Sequence, residues 1–91
     1  MFYGNTKIFY IMELNDFIAK FAEQFDETDI SEFTPDCEFH ELEEWSSLTG
    51  MAIIAMVKAE YAKFITGKEL KDCETIEELF DLVKGKKELN V

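Results

Sequence analysis

Leu42-Glu43-Glu44-Trp45-Ser46-Ser47-Leu48-Thr49-Gly50-Met51 joins a segment rich in acids and aromatics to a run that is almost free of charge. Serine is a favoured helix N-cap, because its side-chain oxygen accepts from an amide that has no acceptor within the helix. From Leu48 to Val57 few side chains are polar. The pair Ser46-Ser47 therefore predicts a helix that starts there and runs to about Phe64. Leu48, Met51, Ile54, Ala55, Val57 or Lys58, and Tyr61 trace the face expected to pack inward. Ala52, Ile53 and Met56 fall off that stripe, which leaves part of this helix with exposed apolar surface. Gly50 weakens helix propensity in the first turn, though less there than in mid-helix.

Upstream, Leu14, Phe17, Ile18, Phe21 and Phe25 fall at helical spacing on one face and predict an amphipathic helix ending near Asp26-Glu27. Residues 28–46 follow no helical or strand period. They carry Pro35, scattered acids, and Phe33, Phe39, Leu42 and Trp45, which predicts a long loop pinned by its aromatics. A loop of that length in a small domain points to a functional role. Downstream, Gly67 breaks the pattern and Lys68–Asp72 allows one short helical turn. Thr75-Ile76-Glu77-Glu78 matches a capping box opening a last helix with Ile76, Leu79, Phe80 and Val83 as its stripe. Gly85 is its stop, with Lys84, Lys86 and Lys87 suited to a helix C-terminus. The expected architecture is all-α, a bundle of three main helices and one short helix over residues 13–85. Residues 86–91 are expected to be a frayed tail.

Ninety-one residues make one domain. The net charge is -11, concentrated between residues 13 and 47, where twelve acids face Lys20 alone. Such a field repels nucleic acid and anionic lipid and draws basic protein surfaces toward the first half of the chain. Cys37 and Cys73 form neither a CxxC pair nor a disulfide framework, so they read as reduced thiols of a cytoplasmic protein. No segment is long enough to span a membrane. The apolar, aromatic opening carries one lysine and no small-residue cleavage site, unlike a signal peptide. Residues 1–12 are expected to lie outside the fold, with Met12 as an alternative start.

A serine at the mouth of a helix is well placed to carry a phosphate ester, since unpaired amides and the positive end of the helix dipole stabilise an anion there. A simple capping role for Ser46 and Ser47 is the competing reading. Weaker signals are set aside. Asp26–Glu32 lacks the glycine and glutamate spacing of a calcium loop, Cys37, His40 and Glu41 make an incomplete zinc set, and His40 has no nucleophile to activate.

The Trp45-Ser46-Ser47-Leu48 stretch resembles the Asp-Ser-Leu signature of acyl and peptidyl carrier proteins, in the variant with Trp two residues before the serine. The resemblance extends without a gap through Met51, Ile54, Val57 and Tyr61, then Ile65 and Thr75-Ile76, to Val83. Leu14–Phe25 fits the family's first helix, so residues 13–84 are covered. The resemblance implies a four-helix bundle of the acyl-carrier type with 4'-phosphopantetheine, supplied from coenzyme A, attached to Ser47. It implies a monomeric, non-enzymatic carrier of acyl or aminoacyl thioesters in lipid or secondary-metabolite biosynthesis. Its partners would be a phosphopantetheinyl transferase and acyl-loading or acyl-processing enzymes, docking on Glu41, Glu43, Glu44, Leu48, Met51 and Ala52. Three departures stand out. Ser46 replaces the usual aspartate, Ser46 competes with Ser47 as the modified residue, and the second helix holds only Glu60 where relatives have several acids. An unmodified helical adaptor with the carrier fold is the rival expectation.

Overall fold

Tyr10, Leu14, Phe17, Ile18 and Phe21 recur at helical spacing, and the helix that carries them is the spine of the fold. A computed structural model of the protein describes residues 2–89, with side chains from residue 8 onward. Helix α1 spans Phe2–Ala22, α2 Ser47–Tyr61, α3 Gly67–Asp72 and α4 Ile76–Gly85. α1 packs against α2 and α4, and α2 packs against the short α3. The protein is thus an all-α bundle of three main helices and one short helix. Among the described residues the only extended pairing is an isolated antiparallel bridge between Glu38 and Thr75.

The core is built around aromatic rings. Phe17, Phe21 and Phe39 are fully buried, and Phe21 meets Phe25, Phe33 and Phe39 at centroid distances of 5.5, 6.1 and 5.4 Å. Burying one such side chain stabilises the fold by roughly 1.5–3 kcal/mol. That gain holds the long α1–α2 connection in place, as its composition predicts. Two short 3-10 turns, Ile30–Glu32 and Phe39–Glu41, carry Phe33 and Phe39 into the interior. Trp45, half-buried, closes the end of the segment against Phe39 at 5.1 Å and His40 at 5.0 Å.

Several expectations need correction. Residues 8–12 are not outside the fold. α1 runs through them, and Tyr10 lies one turn before Leu14 on the same face. Its ring meets Phe80 edge-on at 5.4 Å, and its hydroxyl stands 3.1 Å from Glu77 and 2.7 Å from Asp81. The bond to Asp81, burial and the bond to Glu77 all push the Tyr10 pKa up, because each favours the neutral phenol. Met1 and the last two residues lie outside the described residues, so the expectations for them do too. The stretch after α4 is tied down rather than frayed. Lys86 pairs with Glu69, and the Leu89 amide donates to the Ala62 carbonyl at 2.6 Å.

α1 also ends earlier than Asp26-Glu27. After Ala22 the chain tightens, with Gln24 and Phe25 amides donating to the Phe21 and Ala22 carbonyls, and Phe25 still reaches the core. In α2 the buried residues are Gly50, Ile53, Met56 and Val57, whereas Leu48 and Met51 point to solvent. The expected inward stripe was rotated because Leu48–Val57 lacks a polar face to fix its phase. The capping pattern at Thr75 is half formed. Thr75 accepts from the Glu78 amide, but the Glu78 carboxylate accepts from Glu74. The complete capping box belongs to α3, between Thr66 and Glu69.

Candidate functional site

The two serines at the start of α2 have different occupations. Ser46 is the N-cap, in extended geometry, and its Oγ accepts from the Thr49 amide at 3.3 Å. The Thr49 hydroxyl lies 3.2 Å from that oxygen and donates to the Glu44 carbonyl, which fastens the helix start to the preceding loop. Ser47 is the first helical residue and is exposed. Its hydroxyl has no hydrogen-bond partner among the described residues. Because Thr49 is satisfied by the cap and Gly50 by the Ser46 carbonyl, the amides of Ser47 and Leu48 are the ones left for an acceptor outside the helix.

Beside Ser47 an open groove of about 510 Å³ runs between α2 and α3. Trp45, Gly50, Met51, Ile54 and Leu70 give it apolar walls, with Lys71 at its edge. The walls meet at Gly50 with room for one methyl group. A Cβ there would lie 3.4 Å from Leu70 Cδ2 and 3.5 Å from Trp45 Cζ2. The α3 wall is held by the buried Leu70 side chain and by polar contacts. His40 Nε2 lies 3.1 Å from both the Leu70 and the Cys73 carbonyl oxygens, so a proton on that nitrogen donates toward the end of α3. Sequence reasoning weighed His40 only as a metal ligand or base. Its structural partners are distant in the chain, and no local pattern could have shown them.

The docking residues expected around Ser47 separate into two groups. Leu48 is 76% and Met51 65% exposed, Ala52 is half-buried, and Glu41 and Glu43 are exposed. Glu44 is different. Its carboxylate accepts from the amides of Asp26, Glu27 and Thr28 and from the Thr28 hydroxyl. These bonds, led by the Thr28 hydroxyl, hold its pKa below the usual carboxylate value. Glu44 therefore fixes the loop that presents Ser46 and Ser47.

Cys37 is buried and Cys73 half-buried, both with free thiols, and burial is the largest influence raising the pKa of each. Among the described residues no group of three or more His, Cys, Asp and Glu is arranged to hold a metal ion. Among them, too, no helix is long and apolar enough to cross a membrane.

Fold and site together define a small all-α bundle that displays an unengaged serine hydroxyl at a helix mouth, beside an apolar groove. No family model, curated protein or solved structure matches the chain.

Proposed function

We propose that the protein is an acyl-type carrier that takes 4'-phosphopantetheine on Ser47. The observation that carries this reading is the contrast between the serines: the Ser46 oxygen is committed to the cap, whereas the Ser47 hydroxyl is exposed and unengaged. The resemblance of Trp45–Leu48 to the carrier signature supports the same residue. In the transfer, the Ser47 oxygen forms a bond to the β-phosphorus of the coenzyme A pyrophosphate. The P–O bond to the nucleotide breaks, adenosine 3',5'-bisphosphate leaves, and the serine proton passes to a base of the transferase. When bound, the arm supplies a terminal thiol for acyl or aminoacyl thioesters.

The chain's own residues fit that group. The open amides at the start of α2 favour an anionic phosphodiester, and the groove edged by Lys71 offers an apolar bed beside the attachment point. Glu41 and Glu43 remain available for basic partner surfaces, which speeds encounter more than it tightens binding. Leu48, Met51 and Ala52 supply an apolar contact. A tethered cargo gains effective concentration at partner sites, which is the service a carrier performs.

The unmodified adaptor is favoured by one observation, Ser46 in place of the family's aspartate. Purifying the protein from its native cells and weighing it intact separates the readings. The carrier reading expects a fraction bearing the phosphopantetheine mass on the peptide containing Ser47, and a uniformly bare chain favours the adaptor.

A further inference from the structure

The bundle uses one side of α1. Tyr10, Leu14, Phe17, Ile18 and Phe21 pack inward. On the opposite side, Ile8, Met12, Asn15 and Ala19 follow at spacings of four, three and four residues, the repeat of a two-helix seam. All four are exposed, Ile8 by 53% and Met12 by 59%. Phe9 and Ile11, also exposed, flank the seam. A helical segment apolar on all sides belongs in an interior or an interface.

We infer that this face binds a second copy of the chain, with the two α1 helices antiparallel about a two-fold axis level with Tyr10. Self-complementarity selects that occupant. The axis sets Ile8 against the partner's Met12, a contact made twice as an isologous interface requires, and it places Phe9 beside the partner's Phe9 on one flank and Ile11 beside the partner's Ile11 on the other. The same spacing runs back in the sequence to Asn5, which the axis brings level with the partner's Asn15. Asp16 comes level with position 4, a glycine in the sequence. No like charges are therefore opposed along the seam.

Charge selects the antiparallel arrangement. Twelve of each chain's twenty acids lie between residues 13 and 47, the other eight follow, and residues 1–12 hold only Lys7. Opposed helices overlap through the nearly uncharged segment and send the acidic bodies to opposite ends. Parallel helices would set Asp16 beside Asp16 and the two bodies side by side, where like charges repel. The dimer takes the place of the monomer expected from sequence, and it is independent of the reading of Ser47, which lies outside the seam.

The test is the mass of the full chain in solution by sedimentation equilibrium across a concentration series. The wild type is expected to rise toward twice the chain mass. Ile8→Lys/Met12→Lys, which changes exposed positions only, should stay at one chain mass with an unchanged helical circular-dichroism spectrum. A wild type that remains a single chain throughout overturns the proposal, as does a lysine variant that associates like the wild type. Flotation with neutral phosphatidylcholine vesicles, by a wild type that remains a single chain, would assign the face to lipid and likewise overturn it. In a Cys73→Ser background, Ile8→Cys chains should cross-link to Met12→Cys chains faster than either to itself. Preferential like-with-like coupling overturns the antiparallel arrangement.

Discussion

Thr28 grips Glu44 twice: its hydroxyl and its amide both donate to Glu44 Oε1, at 2.6 and 2.9 Å. The Asp26 amide donates to the other oxygen at 2.7 Å. A carboxylate three residues before the exposed serine thus caps the turn that follows α1, and the mouth of α2 is anchored to the end of α1. The negative charge is structural, and replacing it by a neutral isostere isolates that role.

Glu44→Gln should lower the denaturant midpoint at neutral pH and remove part of the wild type's acid sensitivity. The folded-state pKa of Glu44 lies below its unfolded value. Its contribution is therefore present above the unfolded carboxylate pKa and fades as pH falls through the folded one. Urea unfolding of both proteins from neutral to acid pH should show two midpoint curves that converge in acid. Parallel curves would refute the assignment.

Gly50→Ala should stabilise the protein by up to about 1 kcal/mol, since alanine is the better helix former. The added Cβ meets Leu70 and Trp45 at ordinary contact distance. Gly50→Leu should instead push α3 outward and lose stability, because overpacking typically costs about 1–3 kcal/mol. Chemical denaturation of the two variants checks the opposite signs.

Phe39 is fully buried and touches the rings of Phe21, His40 and Trp45. Phe39→Ala should cost about 3–5 kcal/mol, whereas the exposed Phe64→Ala should stay within about 0.5 kcal/mol of wild type. Thermal and urea unfolding read both.

Leu48→Ala and Met51→Ala remove exposed apolar side chains and should leave stability within about 0.5 kcal/mol. In the proposed carrier they should nonetheless lower kcat/KM of a phosphopantetheinyl transferase by about tenfold, the loss of roughly 1.4 kcal/mol of productive contact. Unchanged transfer kinetics in both would remove α2's apolar face from the docking surface.

Periodicity located α1's inward residues from Leu14 to Phe21 because a polar face set the phase, and N-cap chemistry located the starts of α2 and α4 at Ser46 and Thr75. It failed for α2's inward face, where Ile53 and Met56 are buried and Met51 is not, because apolar residues surround that helix. It missed Tyr10, whose partners Phe80 and Asp81 lie far along the chain. At the candidate site, Ser46 and Ser47 were legible as a helix mouth, but their different engagement depends on Thr49 and on the Glu44 loop. The docking role expected of Glu44 overlooked Thr28 because nothing local links the two positions.

The most direct measurement is intact mass after incubation of the purified chain with coenzyme A and a broad-specificity transferase, run beside Ser46→Ala and Ser47→Ala. The wild type and Ser46→Ala should gain the phosphopantetheine mass, Ser46→Ala more slowly if its loosened cap disturbs the helix mouth, while Ser47→Ala gains nothing and keeps its helical spectrum. A Ser47→Ala chain that is still modified, or a folded wild type that never is, would contradict the account.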